Sequence, residues 1–260
     1  MTFSNILAIK AANFRLSLRK SDCRYHYDVD ERLFYVKDGN VKHYFSNLKR
    51  GLTLYKRGLE RRSSQILSSY NLDKIAFNNS DIVIDCGANY GDLWLALRNQ
   101  IDSRNYISFE PGYGEYRAIC KNIIGGRNYN AALADADENR AFYVNEQDAD
   151  SSIIEPQHYS EIRQVEAMRL DTFLLQNSIN RVKLLKLEAE GFEPEVLDGA
   201  RNSISKIQYV AIDGGNERGL AQEETFSSQT NFLTSNGFEM RSVNLRWGRA
   251  LFKNKCVAID

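Results

Sequence analysis

The chain has 260 residues, 43% of them hydrophobic and 26% charged, with 34 Lys and Arg balancing 34 Asp and Glu. That composition describes an ordinary globular protein able to bury one large core, as single-domain α/β folds of this size do. No apolar run approaches the ~20 residues needed to cross a bilayer, and with three prolines there is no proline-rich linker, repeat or low-complexity tract.

In chain order, the opening Met1-Thr-Phe-Ser-Asn-Ile-Leu-Ala-Ile-Lys10 carries a short apolar stretch with no basic residue before it. A cleaved secretory signal is therefore not expected, and the expected location is cytoplasmic. Residues 1–78 are predicted to form a mostly helical, basic cap segment, and 79–260 a catalytic domain. Charge is unevenly spread: residues 1–70 hold 14 Lys and Arg against 6 Asp and Glu, whereas residues 131–200 hold 6 against 15. The basic surplus reads either as a solvated helix face or as a surface for an anionic or polar substrate. Cys23, Cys86, Cys120 and Cys256 are dispersed, as are His26, His43 and His158, so no metal site or redox pair is predicted.

The first catalytic strand is predicted at 81–86, where Ile82-Val-Ile84 is a β-branched run suited to a strand buried on both faces. It enters the loop Asp85-Cys-Gly87-Ala88-Asn89-Tyr-Gly91-Asp92. Gly87 and Gly91 can take backbone angles closed to other residues and let a ligand approach the main chain. Leu93, Trp94, Leu97 and Ile101 then recur at helical spacing. The third glycine of a dinucleotide fingerprint is replaced by Asp92, and carboxylates at both ends of the loop disfavour a pyrophosphate. The loop points away from NAD and towards S-adenosylmethionine.

A second strand at 105–110 ends in Glu110-Pro111, and a carboxylate there can accept two hydrogen bonds from a ribose diol. Tyr116, Ile119 and Ile123 mark the next helix. Further strands are predicted at 128–133, 182–188, 207–213, 238–244 and 248–257. The alternation with helices gives a doubly wound, mostly parallel α/β sheet, and the last two strands, too close for a crossover, form an antiparallel hairpin.

The strand at 182–188 runs into Leu184-Leu-Lys186-Leu-Glu188-Ala-Glu190-Gly191-Phe-Glu193-Pro194, with carboxylates on alternate positions and a proline-initiated helix after them. Together with the glycine loop, Glu110 and the segment Arg169-Leu-Asp171-Thr-Phe, this resembles the FkbM-type methyltransferases, a Rossmann-like class that uses S-adenosyl-L-methionine. The resemblance spans roughly residues 80 to 255. Glu188 stands where that family usually has aspartate, which keeps the charge and moves its oxygens by about one carbon–carbon bond.

The resemblance implies roles. The loop from Asp85 through Gly87, Ala88 and Asn89 to Gly91 would hold the methionine part of the cofactor, Glu110 the ribose, and the Asn130-Ala131-Ala132 turn the adenine edge, with Asp92 and Pro111 also counted among the cofactor-binding residues. Glu188 and Glu190 would sit at the adjacent strand end, near the ammonium group, the sulfonium or the substrate. Methyl transfer to a hydroxyl needs positioning and removal of one proton. Glu190 is the first candidate base, Asp213 the second and His158 the third. Asn216, Glu217 and Arg218 are candidates for the acceptor pocket, and Asp148 to Ser152 for a lid, against an ordinary surface loop. The expected reaction is O-methylation of a saccharide or other hydroxyl-bearing small molecule, with no nucleic acid and no transmembrane segment. The alternatives are an N-methyltransferase on nucleic acid or protein, and a non-catalytic cofactor-binding regulator.

Overall fold

The computed structural model describes residues 1–145 and 151–256. Helix α1 (Phe3–Leu18) leads into an antiparallel sheet of β1 (Arg24–Asp28), β2 (Leu33–Asp38) and β3 (Val41–Phe45), followed by α2 (Leu48–Leu54) and α3 (Leu59–Ser69). The segment is helical over α1, α2 and α3, and the sheet between them is an element the sequence did not predict. Its strands alternate, burying Tyr25, Val36, His43 and Phe45 while Lys37 and Lys42 stay exposed.

Beyond it, β4 (Val83–Cys86), α4 (Asp92–Leu97), β5 (Tyr106–Phe109), α5 (Tyr113–Asn122) and β6 (Arg127–Tyr129) build half of a parallel sheet. A side sheet takes β7 (Ala132–Ala134), β8 (Glu138–Val144) and β9 (Glu161–Arg169). The chain then continues through α6 (Leu170–Gln176), β10 (Val182–Leu187), α7 (Glu193–Asp198) and β11 (Ile207–Asp213). A small ribbon of β12 (Asn216–Arg218) and β13 (Glu223–Glu224) precedes α8 (Phe226–Ser235), β14 (Phe238–Asn244) and β15 (Arg249–Asn254).

The main sheet has seven strands in the order β14-β15-β11-β10-β4-β5-β6, and among them only β15 runs against the rest. The doubly wound sheet and its C-terminal antiparallel hairpin are therefore present as expected. The strand expected at 128–133 divides: β6 stays on the main sheet, while β7 leaves to pair with β9. At the break, Asn130 Nδ2 donates to the carbonyls of Glu110 (2.9 Å) and Pro111 (3.0 Å), turning the chain out of the sheet. Because the strand order reverses between β4 and β10, the crevice outside their carboxyl ends is the natural place for a ligand.

Apolar residues on both faces of this sheet form two clusters, one including Ile84, Leu185 and Val210, the other Val83, Leu184 and Leu251. The N-terminal segment is not a separate body. Its own cluster, with Phe45 and Tyr55, extends into Tyr90, Leu95 and Ala118 of the catalytic part. Asn122 Oδ1 accepts from the Tyr44 amide at 2.7 Å, and its Nδ2 donates to the Tyr44 and Tyr90 carbonyls.

Candidate functional site

A cavity of about 420 Å³ opens at the carboxyl ends of β4, β5 and β10. Its floor is the loop after β4, which is tied to the neighbouring strand: the amides of Gly87 and Ala88 donate to the Phe109 carbonyl at 3.0 and 3.2 Å. Gly87 has φ +69, and a Cβ placed there would lie 1.8 Å from the Glu188 carbonyl oxygen. Since that obstacle is backbone, only glycine lets the ends of β4 and β10 meet so closely.

Glu110 stands at the end of β5, buried, with Oε2 accepting from the Asn89 amide and Oε1 from the Gly112 amide, both at 2.8 Å. Burial pushes its carboxyl up to about 7, and the neighbouring Glu115 adds to the effect against the two amides. Each carboxylate oxygen keeps further acceptor capacity. On the same wall, the buried Oδ1 of Asn89 has no hydrogen-bond partner.

The β10 end is an ionic chain. Lys186 Nζ lies 3.1 Å from Asp85 Oδ1 and 2.9 Å from Glu188 Oε2, and donates to the Gly87 carbonyl at 2.7 Å. Glu188 also accepts from Tyr70 Oη (2.7 Å) and from Arg249 Nη2 (3.0 Å). Burial works against its charged form, yet Lys186 and Arg249 hold its carboxyl well below the ordinary carboxylate range. Asp85 is raised by burial in spite of Lys186, and Tyr106 Oη donates to it as well. Lys186 lines the cavity and has no role in the expectations from sequence, although its alternation with Glu188 puts both on one strand face.

Asp92, at the far end of the loop, faces the N-terminal segment. It accepts from Tyr55 Oη at 2.9 Å and from Arg62 Nε at 2.8 Å; Arg62 Nη2 lies at 2.6 Å and His43 Nε2 at 3.3 Å. Burial is again outweighed, here by Arg62 and His43, and the carboxyl sits well below its usual range. Asp92 borders the cavity, but its charge is spent on docking the cap.

The other sequence-predicted residues divide. Asp85, Gly87, Ala88, Asn89, Pro111, Glu188 and Glu190 line the cavity alongside Glu110; Gly91, Ala131 and Asp213 do not. Gly91 caps α4 with φ +78, packed against Ile123. Ala131 is core, and the adjoining Ala132 and Leu133 reach the cavity instead. Asp213, expected as a second candidate base, lies off the cavity: its Oδ2 is 2.7 Å from Arg249 Nε and its Oδ1 accepts from the Gly215 amide at 3.2 Å, so it anchors Arg249. Arg218 holds Glu195 through two nitrogens, at 2.9 and 2.7 Å, and the Gly191 carbonyl, shaping the Glu190 loop from outside. His158 is exposed and off the cavity.

Of the expected lid, Asp148 to Asp150 lie outside the described residues. Ser152 donates to the Glu190 carbonyl at 2.9 Å and borders the cavity. Ser46, Asn47, Arg50 and Arg62 of the N-terminal segment complete the wall. No cluster of His, Cys, Asp and Glu suited to a metal occurs among the described residues.

The site fits S-adenosyl-L-methionine on two counts. Glu110 and the orphaned Asn89 Oδ1 are acceptors that call for donors, which a ribose diol and an ammonium group supply. The cavity also falls in the size range of small-molecule sites, roughly 300–1,000 Å³.

Comparison with known proteins gives one family: the model of the methyltransferase FkbM domain matches residues 85–240. Among solved structures, a SAM dependent methyltransferase from Aquifex aeolicus is 9% identical with a TM-score of 0.42, covering 78% of this chain and 89% of that one. A Streptococcus pneumoniae protein solved in complex with S-adenosyl-L-methionine is 13% identical with a TM-score of 0.41, covering 77% and 75%. At these identities neither says anything of the acceptor here. No curated protein matches the chain.

Proposed function

The chain belongs to the FkbM methyltransferase family, and on that premise we propose that it transfers a methyl group to the hydroxyl of a saccharide or a similar small molecule. Its cofactor is S-adenosyl-L-methionine, which when bound supplies an electrophilic methyl group on a sulfonium centre. The observation that carries the site assignment is Glu110: a buried carboxylate at the end of β5, latched to the glycine loop through the Asn89 amide and set beside the crevice where the strand order reverses.

In this reading Glu110 accepts the ribose hydroxyls and Asn89 Oδ1 takes a donor from the same ligand. The backbone contact at Gly87 fixes the distance between the β4 and β10 ends, so the donor site is held by main chain. Lys186 and Arg249 together balance Asp85 and Glu188, which keeps these close charges compatible with one another beneath the cavity. Glu190, on the cavity wall with φ +52, would take the proton of the acceptor hydroxyl, while the bound cofactor would give up its methyl group from sulfur and leave as a neutral thioether. Ser46, Asn47 and Arg50 form the polar wall offered to the acceptor.

Calorimetric titration with S-adenosyl-L-methionine tests the site, with Glu110→Gln as the comparison; equal binding by both proteins refutes the role of Glu110. Mass spectrometry of the host's surface glycans with and without the gene tests the acceptor. A methyl-sized mass difference supports a saccharide hydroxyl, and identical spectra beside retained cofactor binding refute it.

A further inference from the structure

Helix α1 is apolar on two sides, and the fold uses one. Ala8, Ile9, Ala12 and Leu16 pack into the cluster of the three-stranded sheet. On the opposite side Phe3, Leu7, Phe14 and Leu18 are 75%, 51%, 66% and 70% exposed. At about 100° per residue these four fall within roughly 60° of arc, which makes one continuous apolar line along the helix. Lys10 and Arg15 stand on either side of the line, Arg19 and Lys20 follow at its end, and residues 1–21 contain no Asp or Glu. The chain as a whole is neutral, so this local excess of positive charge is a property of the helix surface and not of the composition.

We propose that α1 lies in the plane of an anionic membrane surface, with the Phe3–Leu18 line at the acyl boundary and the basic side chains among the headgroups. An exposed apolar line whose charged neighbours on the helix are all cations matches the chemistry of an interfacial helix, in which apolar burial and attraction to acidic lipid add. This is attachment without crossing: no described helix is long and apolar enough to span a bilayer. A second copy of the chain is a poorer occupant. Four partly exposed side chains, at roughly 150–250 Å² for a large one, fall short of the ~800 Å² per partner of a stable interface. Two such helices would also oppose Lys10 and Arg15 with like charges. No residue of α1 borders the cofactor cavity, so the surface proposed here is distinct from the cofactor site.

Co-sedimentation of the full chain with vesicles tests the proposal, using phosphatidylcholine alone or mixed with phosphatidylglycerol. The expected result is binding to the mixed vesicles only, weakening as salt is raised. Binding should fall at least tenfold in a Phe14→Ser/Leu18→Ser variant, with an unchanged S-adenosyl-L-methionine titration showing that the variant is folded. A Lys10→Glu/Arg15→Glu variant should lose the preference for the acidic lipid. Absence of wild-type binding to the mixed vesicles overturns the proposal. So does equal binding by the Phe14/Leu18 variant, or a dimer in sedimentation equilibrium that this variant dissolves.

Discussion

Glu110 and Asp92 are both buried carboxylates beside the same loop, and they live in opposite electrostatic worlds. Glu110 meets two backbone amides and, nearby, the like charge of Glu115, and its carboxyl rises to about 7. Asp92 meets Arg62, His43 and Tyr55, and its carboxyl falls well below the normal range. Burial is common to both, so partner chemistry decides the charge state. The first acid is left with capacity for a ligand; the second is consumed in joining the N-terminal segment to the loop.

The most severe way to break this contrast is Asp92→Ala. It leaves Arg62 buried without its counter-ion, and chemical denaturation should show a loss of about 3–5 kcal/mol. Unchanged stability would mean that the cap docks by packing alone. Glu110→Gln should act in the other register: cofactor affinity drops about 10- to 100-fold, as expected for losing hydrogen bonds to a charged acceptor. Its denaturation midpoint near pH 7 should move far less than that of the Asp92 variant.

The pH dependence sharpens the comparison further. Because burial raises the Glu110 carboxyl to about 7 and hydrogen bonds donated by a ribose diol favour its ionised form, binding should displace a proton. Affinity should therefore rise about tenfold from pH 6 to pH 8, with proton release detectable by calorimetry in buffers of different ionisation enthalpy. The sign for stability is the reverse: an acid whose folded value lies above its unfolded one favours the folded state at low pH. The Glu110 contribution should decline as pH rises from about 4.5 to about 7, and Glu110→Gln should flatten that slope. The smallest effect belongs to Glu115→Gln, which removes the like charge and should shift the midpoint of the affinity profile to lower pH while leaving the plateau at high pH in place.

How far the sequence is legible follows from distance along the chain. The buried strands β4, β5, β10 and β11 announce themselves through short apolar runs ending in acids, and the short gap before β15 forces the hairpin. Glu110 is legible for the same reason, as a carboxylate at a strand end. The three-stranded N-terminal sheet is not, because Arg24-Tyr-His-Tyr27 and Tyr35-Val-Lys37 mix aromatic and basic residues that fit an exposed helix face equally well. Its signal is the Gly39-Asn40 pair, a two-residue hairpin turn. The fold-holding contacts of Asp92 and Asp213 are hidden for a different reason. Their partners Tyr55, Arg62 and Arg249 lie at least 30 residues away in sequence, so nothing local distinguishes an acid that binds a ligand from one that holds the fold.

The contact of Gly87 with the Glu188 carbonyl bears on how the protein can change. A site fixed by touching main chains has no side chain to tune at its centre, so adaptation is pushed to its rim. In a saturation library selected only for folded protein, position 87 should return a single residue while position 110 returns several; selection for methyl transfer should narrow both. Variation among descendants of this chain is thereby channelled into the walls around a donor pocket that cannot drift.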